Sequence, residues 1–68
     1  MIAVVGTQNV LDALRSNKIL RLGVSEYVMR GGIILERIGE KGTWFPSNIR
    51  FNEMVVTTFE QTGKMVNL

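Results

Sequence analysis

The stretch that decides the fold is residues 25–38, SEYVMRGGIILERI, in which two six-residue runs flank Gly31 and Gly32. Glycine tolerates positive φ, so the pair suits a two-residue primed turn whose twist matches that of paired strands. A turn at this place fixes the register and sets Glu26 opposite Arg37, with opposite charges side by side. A shift by one residue would separate this pair and exchange the two faces of both strands. The sequence therefore predicts an antiparallel hairpin.

The same register predicts every other pair of the hairpin. Because side chains alternate along a strand, Glu26 and Glu36 fall on opposite faces of the sheet. The two carboxylates are therefore not expected to form a catalytic pair. The remaining predicted pairs are Arg30 with Ile33, Met29 with Ile34, Val28 with Leu35, and Tyr27 with Glu36.

Length and composition predict one domain, residues 1–68, that assembles with copies of itself. A chain of 68 residues has little interior, and small folds usually compensate with disulfides, a metal or association. This chain has no Cys and no His, while 46% of its residues are apolar. Association is the remaining route, so we expect a homo-oligomer.

Charge and the N-terminal residues bear on location and partners. The net charge of +2 is mild, so nucleic acid is an unlikely partner. Residues 1–5 are apolar but too short for a signal sequence or a membrane span. We expect a cytoplasmic protein that does not enter a membrane.

The segments before the hairpin predict a helix between strands. Residues 2–5 indicate a short strand or an ordered arm, and Thr7 is a plausible helix N-cap. A helical apolar stripe then runs from Gln8 until Asn17, which accepts the left-handed conformation that ends helices. Residues 19–24 read as a strand that Gly23 bends. The stripe consists of Val10, Leu11, Ala13 and Leu14.

The segments after the hairpin are less regular. Residues 39–42 predict a charged turn, and residues 43–45 predict an extended segment closed by Pro46. In residues 47–52, either Ser47 caps a helical turn that carries Ile49 inward, or the piece is an irregular loop. The β-branched run 54–59, MVVTTF, predicts the last strand. The tail from Gln61 either frays or packs on a neighbouring subunit through Met65, Val66 and Leu68.

These elements together predict an α+β fold. One N-terminal helix would pack on a small antiparallel sheet of three to five strands, arranged as a meander around the two-glycine hairpin. Without His or Cys, the commonest general base, metal ligands and thiol nucleophile are missing. No glycine spacing matches a phosphate loop. We expect a protein that is not an enzyme and uses no metal or cofactor.

The basic and aromatic residues supply the candidate ligand-binding side chains. Arg15, Lys18 and Arg21 fall within seven residues and form either an anion-binding corner or a solvated helix end. Arg21 is expected on the sheet face opposite Leu20, where it and Arg30 would be the charged handles for a ligand. Trp44 is either part of a core or interface, or a platform on which a base stacks.

The motif order resembles that of a group of small phage proteins. In VLDALRSNKILRL, Ala13, Leu14, Lys18 and Arg21 match a helix that leads into a strand with an early Arg, and Asn17 stands where Gly is usual. EYVMRGGIILERIGEKG is similar to the hairpin of these proteins, and WFPSNIRFNEMVV is similar to their closing segment. The group includes the Thoeris anti-defence sponges of phages, which capture cyclic ADP-ribose-type signals.

The resemblance implies a phage accessory protein that sequesters a nucleotide-like host immune signal in a pocket between subunits. Lys18, Arg21, Arg30 and Trp44 would then be the ligand-binding residues, with the basic groups on phosphate and the indole on a base. Two alternatives stay open. One is a protein-binding module that inhibits a host enzyme or defence protein, and the other is a small DNA-associated regulator whose binding weakens steeply with salt.

Overall fold

The α+β class is confirmed by a computed structural model of the chain, which describes residues 2–65. All strand pairings are antiparallel and join six strands into one sheet, in the order β1-β6-β2-β3-β4-β5. This is one strand more than the upper end of the predicted range, and a second short helix is present. The elements are β1 (Ile2–Val4), α1 (Thr7–Arg15), β2 (Lys18–Leu22), β3 (Ser25–Arg30), β4 (Ile33–Ile38), β5 (Phe45–Pro46), α2 (Phe51–Met54) and β6 (Phe59–Met65).

The β3–β4 hairpin has the predicted register. Every predicted pair is present, from Arg30 opposite Ile33 to Glu26 opposite Arg37. Gly31 has φ 57° and Gly32 has φ 79°, so both turn positions are left-handed. Two consecutive positive φ angles define the primed turn that the glycines predict.

The two glycines of this turn should respond differently to substitution. We expect Gly32→Ala to lower the free energy of unfolding by about 1 to 2 kcal/mol, because an L side chain disfavours the left-handed region. Gly31→Asn should change stability little, since asparagine takes that region readily. No neighbouring atom lies close enough to obstruct a Cβ at either site, so the cost is conformational. Thermal unfolding of the two variants measures it, and equal behaviour of both would contradict this turn geometry.

The first helix is confirmed, but its N-cap is different from the prediction. Val10 and Leu14 are fully buried, as the apolar stripe predicts. Asn17 has φ 59° and follows the helix C-terminus in the left-handed conformation. Thr7 is the first helical residue and not the cap; the cap position belongs to Gly6, at φ 93°, and no side chain caps the helix. Glycine alone adopts that angle easily, which moves the start of the helix.

The strand predicted for residues 19–24 is shifted. β2 spans Lys18–Leu22, and Leu22 pairs with Ser25, so Gly23 and Val24 form a two-residue turn. Gly23 has φ 63°, the conformation that a glycine at the first position of a hairpin turn supplies. The bend at Gly23 is therefore the end of the strand. Val24, which we expected within the strand, lies in the turn and is 71% exposed.

The strand predicted for residues 54–59 is wrong. Met54 ends α2, the chain turns through residues 55–57, and the strand runs over Phe59–Met65. It therefore continues into the tail from Gln61, which we expected to fray or to pack on a neighbouring subunit. A buried position overrides the β-branched preference here, because Met54 packs fully into the core from a helical turn. The prediction that Val66 and Leu68 pack on a neighbour lies outside the described residues.

Residues 47–50 follow the irregular alternative, and Ile49 still points inward. The hydroxyl of Ser47 accepts a hydrogen bond from the backbone N–H of Ile49 at 3.1 Å, which closes a local turn. Ile49 packs against the core cluster. The short helix α2 begins only afterwards, with Arg50 at its N-cap and Glu53 accepting from the Arg50 N–H at 2.9 Å.

The last strand completes the sheet by inserting between the first two. β6 pairs with β1 on one side and with β2 on the other, so the sheet is not a simple meander. Its register to β2 shifts between the pairs Leu20–Gln61 and Lys18–Met65, and Gly63, at φ 79°, lies within that irregularity. One buried cluster joins both helices to the same sheet face: Val4, Val10, Ala13, Leu14, Leu20, Tyr27, Met54 and Phe59.

Candidate functional site

The two faces of the sheet carry different chemistry. Leu20, Tyr27 and Phe59 belong to the cluster that the helices cover, and we call their side of the sheet the helical face. Alternation places Arg21 and Glu26 on the other side, which we call the charged face. The opposite placement predicted for Arg21 and Leu20 is therefore confirmed. Candidate sites on the two faces are physically separate.

A row of alternating charges crosses the charged face. Glu60, Arg21, Glu26 and Arg37 occupy neighbouring positions on four consecutive strands. The Arg21 guanidinium forms a two-pronged ion pair with the Glu60 carboxylate, which raises the pKa of Arg21. Arg37 Nε donates to Glu26 Oε1 at 2.7 Å, and its guanidinium carbon lies 4.5 Å from the centre of the Trp44 ring. The row is internally neutralised.

Two side chains of the loop of residues 39–44 contact strands of the sheet. The carboxylate of Glu40 accepts a hydrogen bond from Lys64 Nζ at 2.7 Å, which joins the β4–β5 connection to β6. That bond lowers the pKa of Glu40, and the positive charges of Arg21 and Arg37 add to the effect. The Glu40–Lys64 bond and the contact of Trp44 with Arg37 therefore tie the loop to β6 and to β4.

Three residues on the charged face are buried. Ile19, Glu26 and Val28 are no more than 3% exposed, although α1 and α2 cover the opposite face. Glu26 is the single charged residue in the core of the described chain, and Arg37 is its partner.

A polar pocket of about 320 Å³ opens between α1, β1 and β6. Lys18 lines it from the start of β2, and Asp12 lines it from the helix. The side chain of Asp12 also accepts a hydrogen bond from Gln8 at 2.7 Å, which fixes one carboxylate oxygen. The pocket thus combines a cation, a carboxylate and neutral hydrogen-bonding groups. The other lining residues are Ile2, Ala3, Val4, Asn9, Ala13, Ser16 and Gln61.

The four predicted ligand-binding residues do not meet within one chain. Lys18 lines the polar pocket, whereas Arg21 lies on the charged face in its ion pair with Glu60. Trp44 is half-buried against Arg37. Arg30 is exposed at the end of β3, beside the two-glycine turn. Of the three basic residues that would form either an anion-binding corner or a solvated helix end, Lys18 and Arg21 lie on opposite faces of the sheet, because β2 begins at residue 18 and side chains alternate along it. These two residues and Arg15 therefore do not form one corner on a single face.

Sequence reasoning missed the group formed by the Glu36 carboxylate and two serine hydroxyls on the helical face. Ser25 Oγ donates to Glu36 Oε2 at 3.1 Å, and Ser47 Oγ donates to Glu36 Oε1 at 2.7 Å. Tyr27 lies directly opposite Glu36, and burial raises the pKa of its phenol. The hairpin register places Glu36 beside Tyr27 and near Ser25, but Ser47 arrives from a segment whose path the sequence does not predict.

Two kinds of site are absent from residues 2–65. That part of the chain contains no group of three or more Asp or Glu side chains placed to hold a metal ion. It also contains no helix with the length and apolar character needed to cross a membrane. Comparison with known proteins found no family model, no curated protein and no solved structure that matches the chain.

Proposed function

We propose that this chain is a non-enzymatic binding protein that sequesters a small nucleotide-like ligand. The observation that supports this most is the polar pocket between α1, β1 and β6, because it holds Lys18 in a concave site of about 320 Å³. Ligand sites span roughly 300 to 1,000 Å³, so the pocket is large enough for part or all of a mononucleotide. Its mixed polar lining suits a ligand with several different hydrogen-bonding groups.

Three polar side chains of the pocket have a use in this proposal. The ammonium of Lys18 is suited to a phosphate, since charge-assisted hydrogen bonds to anions are the strong ones. Asp12 is suited to sugar hydroxyls, because a carboxylate accepts from two donors at once. Gln61 carries an amide that can donate to and accept from the edge of a base. A nucleotide-like ligand is also the class that the resemblance to phage sponges implies.

The wider role follows the same resemblance. As a phage accessory protein, the chain would act in the host cytoplasm by lowering the free concentration of an immune signal. Self-association remains part of the proposal, and the β1 edge is its favoured place, because the edge strand is open and Ile2 is 63% exposed there. Sedimentation of the purified protein over a range of concentrations measures the oligomeric state.

Thermal stabilisation tests the ligand. We expect at least one member of a panel of adenosine monophosphate, ADP-ribose, cyclic ADP-ribose and cyclic dinucleotides to raise Tm, since a ligand at 100 times its Kd adds about 2.7 kcal/mol. Lys18→Met should lower the affinity for that ligand about tenfold or more, because a hydrogen bond to a charged group is lost. Lys41→Met, in the exposed 39–44 loop, is the matched control and should bind normally. The absence of stabilisation by every member of the panel would refute the proposal.

A further inference from the structure

An exposed apolar patch lies at the end of the helical face. Its members are 43 to 71% exposed: Leu22 43%, Val24 71%, Ile38 53% and Phe45 43%. The backbone N–H of Gly39 donates to the carbonyl of Val24 at 2.9 Å, which holds the β2–β3 turn against the end of β4. We call these four side chains the β4 patch.

Strand register brings the β4 patch together around one carboxylate. Leu22 pairs with Ser25, and Ser25 pairs with Ile38, so the three form a row across β2, β3 and β4. Glu36 precedes Ile38 by two positions and therefore shares its face, and it pairs with Phe45 on β5. Glu36 thus lies between two exposed apolar side chains.

The carboxylate of Glu36 differs from the other strand carboxylates in its partners. Glu26 and Glu60 each form an ion pair with an arginine, and Glu40, in the loop, forms one with a lysine. Glu36 is held by two serine hydroxyls, and no Lys or Arg within residues 2–65 forms an ion pair with it. The cluster therefore presents a fixed negative charge inside an apolar rim.

We propose that the β4 patch docks a protein partner that presents a Lys or Arg side chain from an apolar surface, with the cation on the Glu36 carboxylate. Apolar cover alone would desolvate this charge without compensation, whereas a basic side chain supplies the missing partner. A second copy of the chain does not fit, because a self-complementary contact centred here would bring two Glu36 carboxylates together. The patch is separate from the polar pocket that Lys18 lines, which we call the Lys18 pocket, so the inference does not rest on the proposed function.

A displayed library of random twelve-residue peptides, selected against the purified full chain, provides the probe. We expect the enriched peptides to carry Lys or Arg next to Leu, Ile, Phe or Trp. Synthetic copies of the enriched peptides, titrated into labelled protein, should shift the backbone amide signals of residues 22–25, 36–38 and 45–47. Enrichment of no peptide, or of peptides without a basic residue, would refute the proposal.

Matched variants decide whether the patch is the site. Glu36→Gln keeps the side-chain shape and should lower the affinity for the peptide about tenfold or more, since it removes one partner of a covered charge pair. Ile38→Asp should do the same without disturbing the core, because Ile38 is 53% exposed. Ile33→Asp, at the other end of β4 and on its opposite face, should bind normally, because Ile33 is 55% exposed and lies outside the patch. Undiminished binding to Glu36→Gln and Ile38→Asp contradicts the proposal, and so does a dimer that Ile38→Asp alone dissociates.

Discussion

Replacing Arg37 by methionine is expected to lower the free energy of unfolding by about 3 to 5 kcal/mol, because the change leaves a buried carboxylate without its counter-charge. Glu26 is 2% exposed and receives the Arg37 Nε–H at 2.7 Å. The variant also loses the contact with Trp44, because the guanidinium carbon of Arg37 lies 4.5 Å from the centre of the indole ring. Small domains are stable by as little as about 5 kcal/mol, so much of this variant should be unfolded at room temperature. Urea denaturation followed by circular dichroism measures the change.

Two controls separate the buried charge from other effects. Lys64→Met breaks the ion pair with Glu40, whose two side chains are 54% and 57% exposed, and should leave the urea midpoint nearly unchanged. The double variant Glu26→Met with Arg37→Met removes both buried charges and should recover most of the loss, since apolar groups of similar volume replace such pairs well. A double variant as unstable as Arg37→Met would show that packing, and not the unpaired carboxylate, explains the loss.

The sequence predicted the β3–β4 hairpin correctly because the information is local. Gly31 and Gly32 define the turn by their own conformational freedom, and the turn sets the register within a few residues. The opposite charges of Glu26 and Arg37 support the same register. In this segment turn chemistry, strand propensity and charge pairing all favour one structure, which is the condition for a reliable prediction.

The C-terminal third could not be predicted in the same way, because its structure depends on distant partners. β6 contains Gly63 and few β-branched residues, yet it is an interior strand between β1 and β2. The segment 55–57 has strong β preference and forms a turn. Strand propensity mostly reflects packing against neighbouring strands, and nothing in a single sequence reveals that residues 59–61 pair with β1.

The candidate sites were predicted only in part. Lys18 was identified as a candidate ligand-binding residue, but the pocket around it is formed by β1 and β6, and the position of β6 was not predicted. Arg21 and Trp44 were identified by their type, and their partners Glu60 and Arg37 become visible only with the strand order. Residue type thus indicated charge and aromaticity, while the topology decided which groups meet.

Replacing Phe59 by alanine is expected to cost about 3 to 5 kcal/mol, the range for a fully buried aromatic side chain. Phe59 is 1% exposed and begins β6, where its ring meets Tyr27 edge-on at a centroid distance of 5.7 Å. That pair contributes about 0.5 to 1.5 kcal/mol beyond the area it buries. Phe51→Ala is the matched control, because Phe51 is 38% exposed on α2, and it should cost about 1 kcal/mol or less.

The comparison of the two phenylalanines tests the chain path after α2, because their burial follows from where β6 begins. If residues 54–59 formed the last strand instead, Val56 would pair within the sheet; in the structure it is 80% exposed, so Val56→Asp should leave Tm nearly unchanged. Thermal and urea unfolding of all three variants measures the order of effects, with Phe59→Leu as a milder change if Phe59→Ala does not fold. Equal losses from Phe51→Ala and Phe59→Ala, or a large loss from Val56→Asp, would place the last strand earlier in the chain and remove β6 from the wall of the Lys18 pocket.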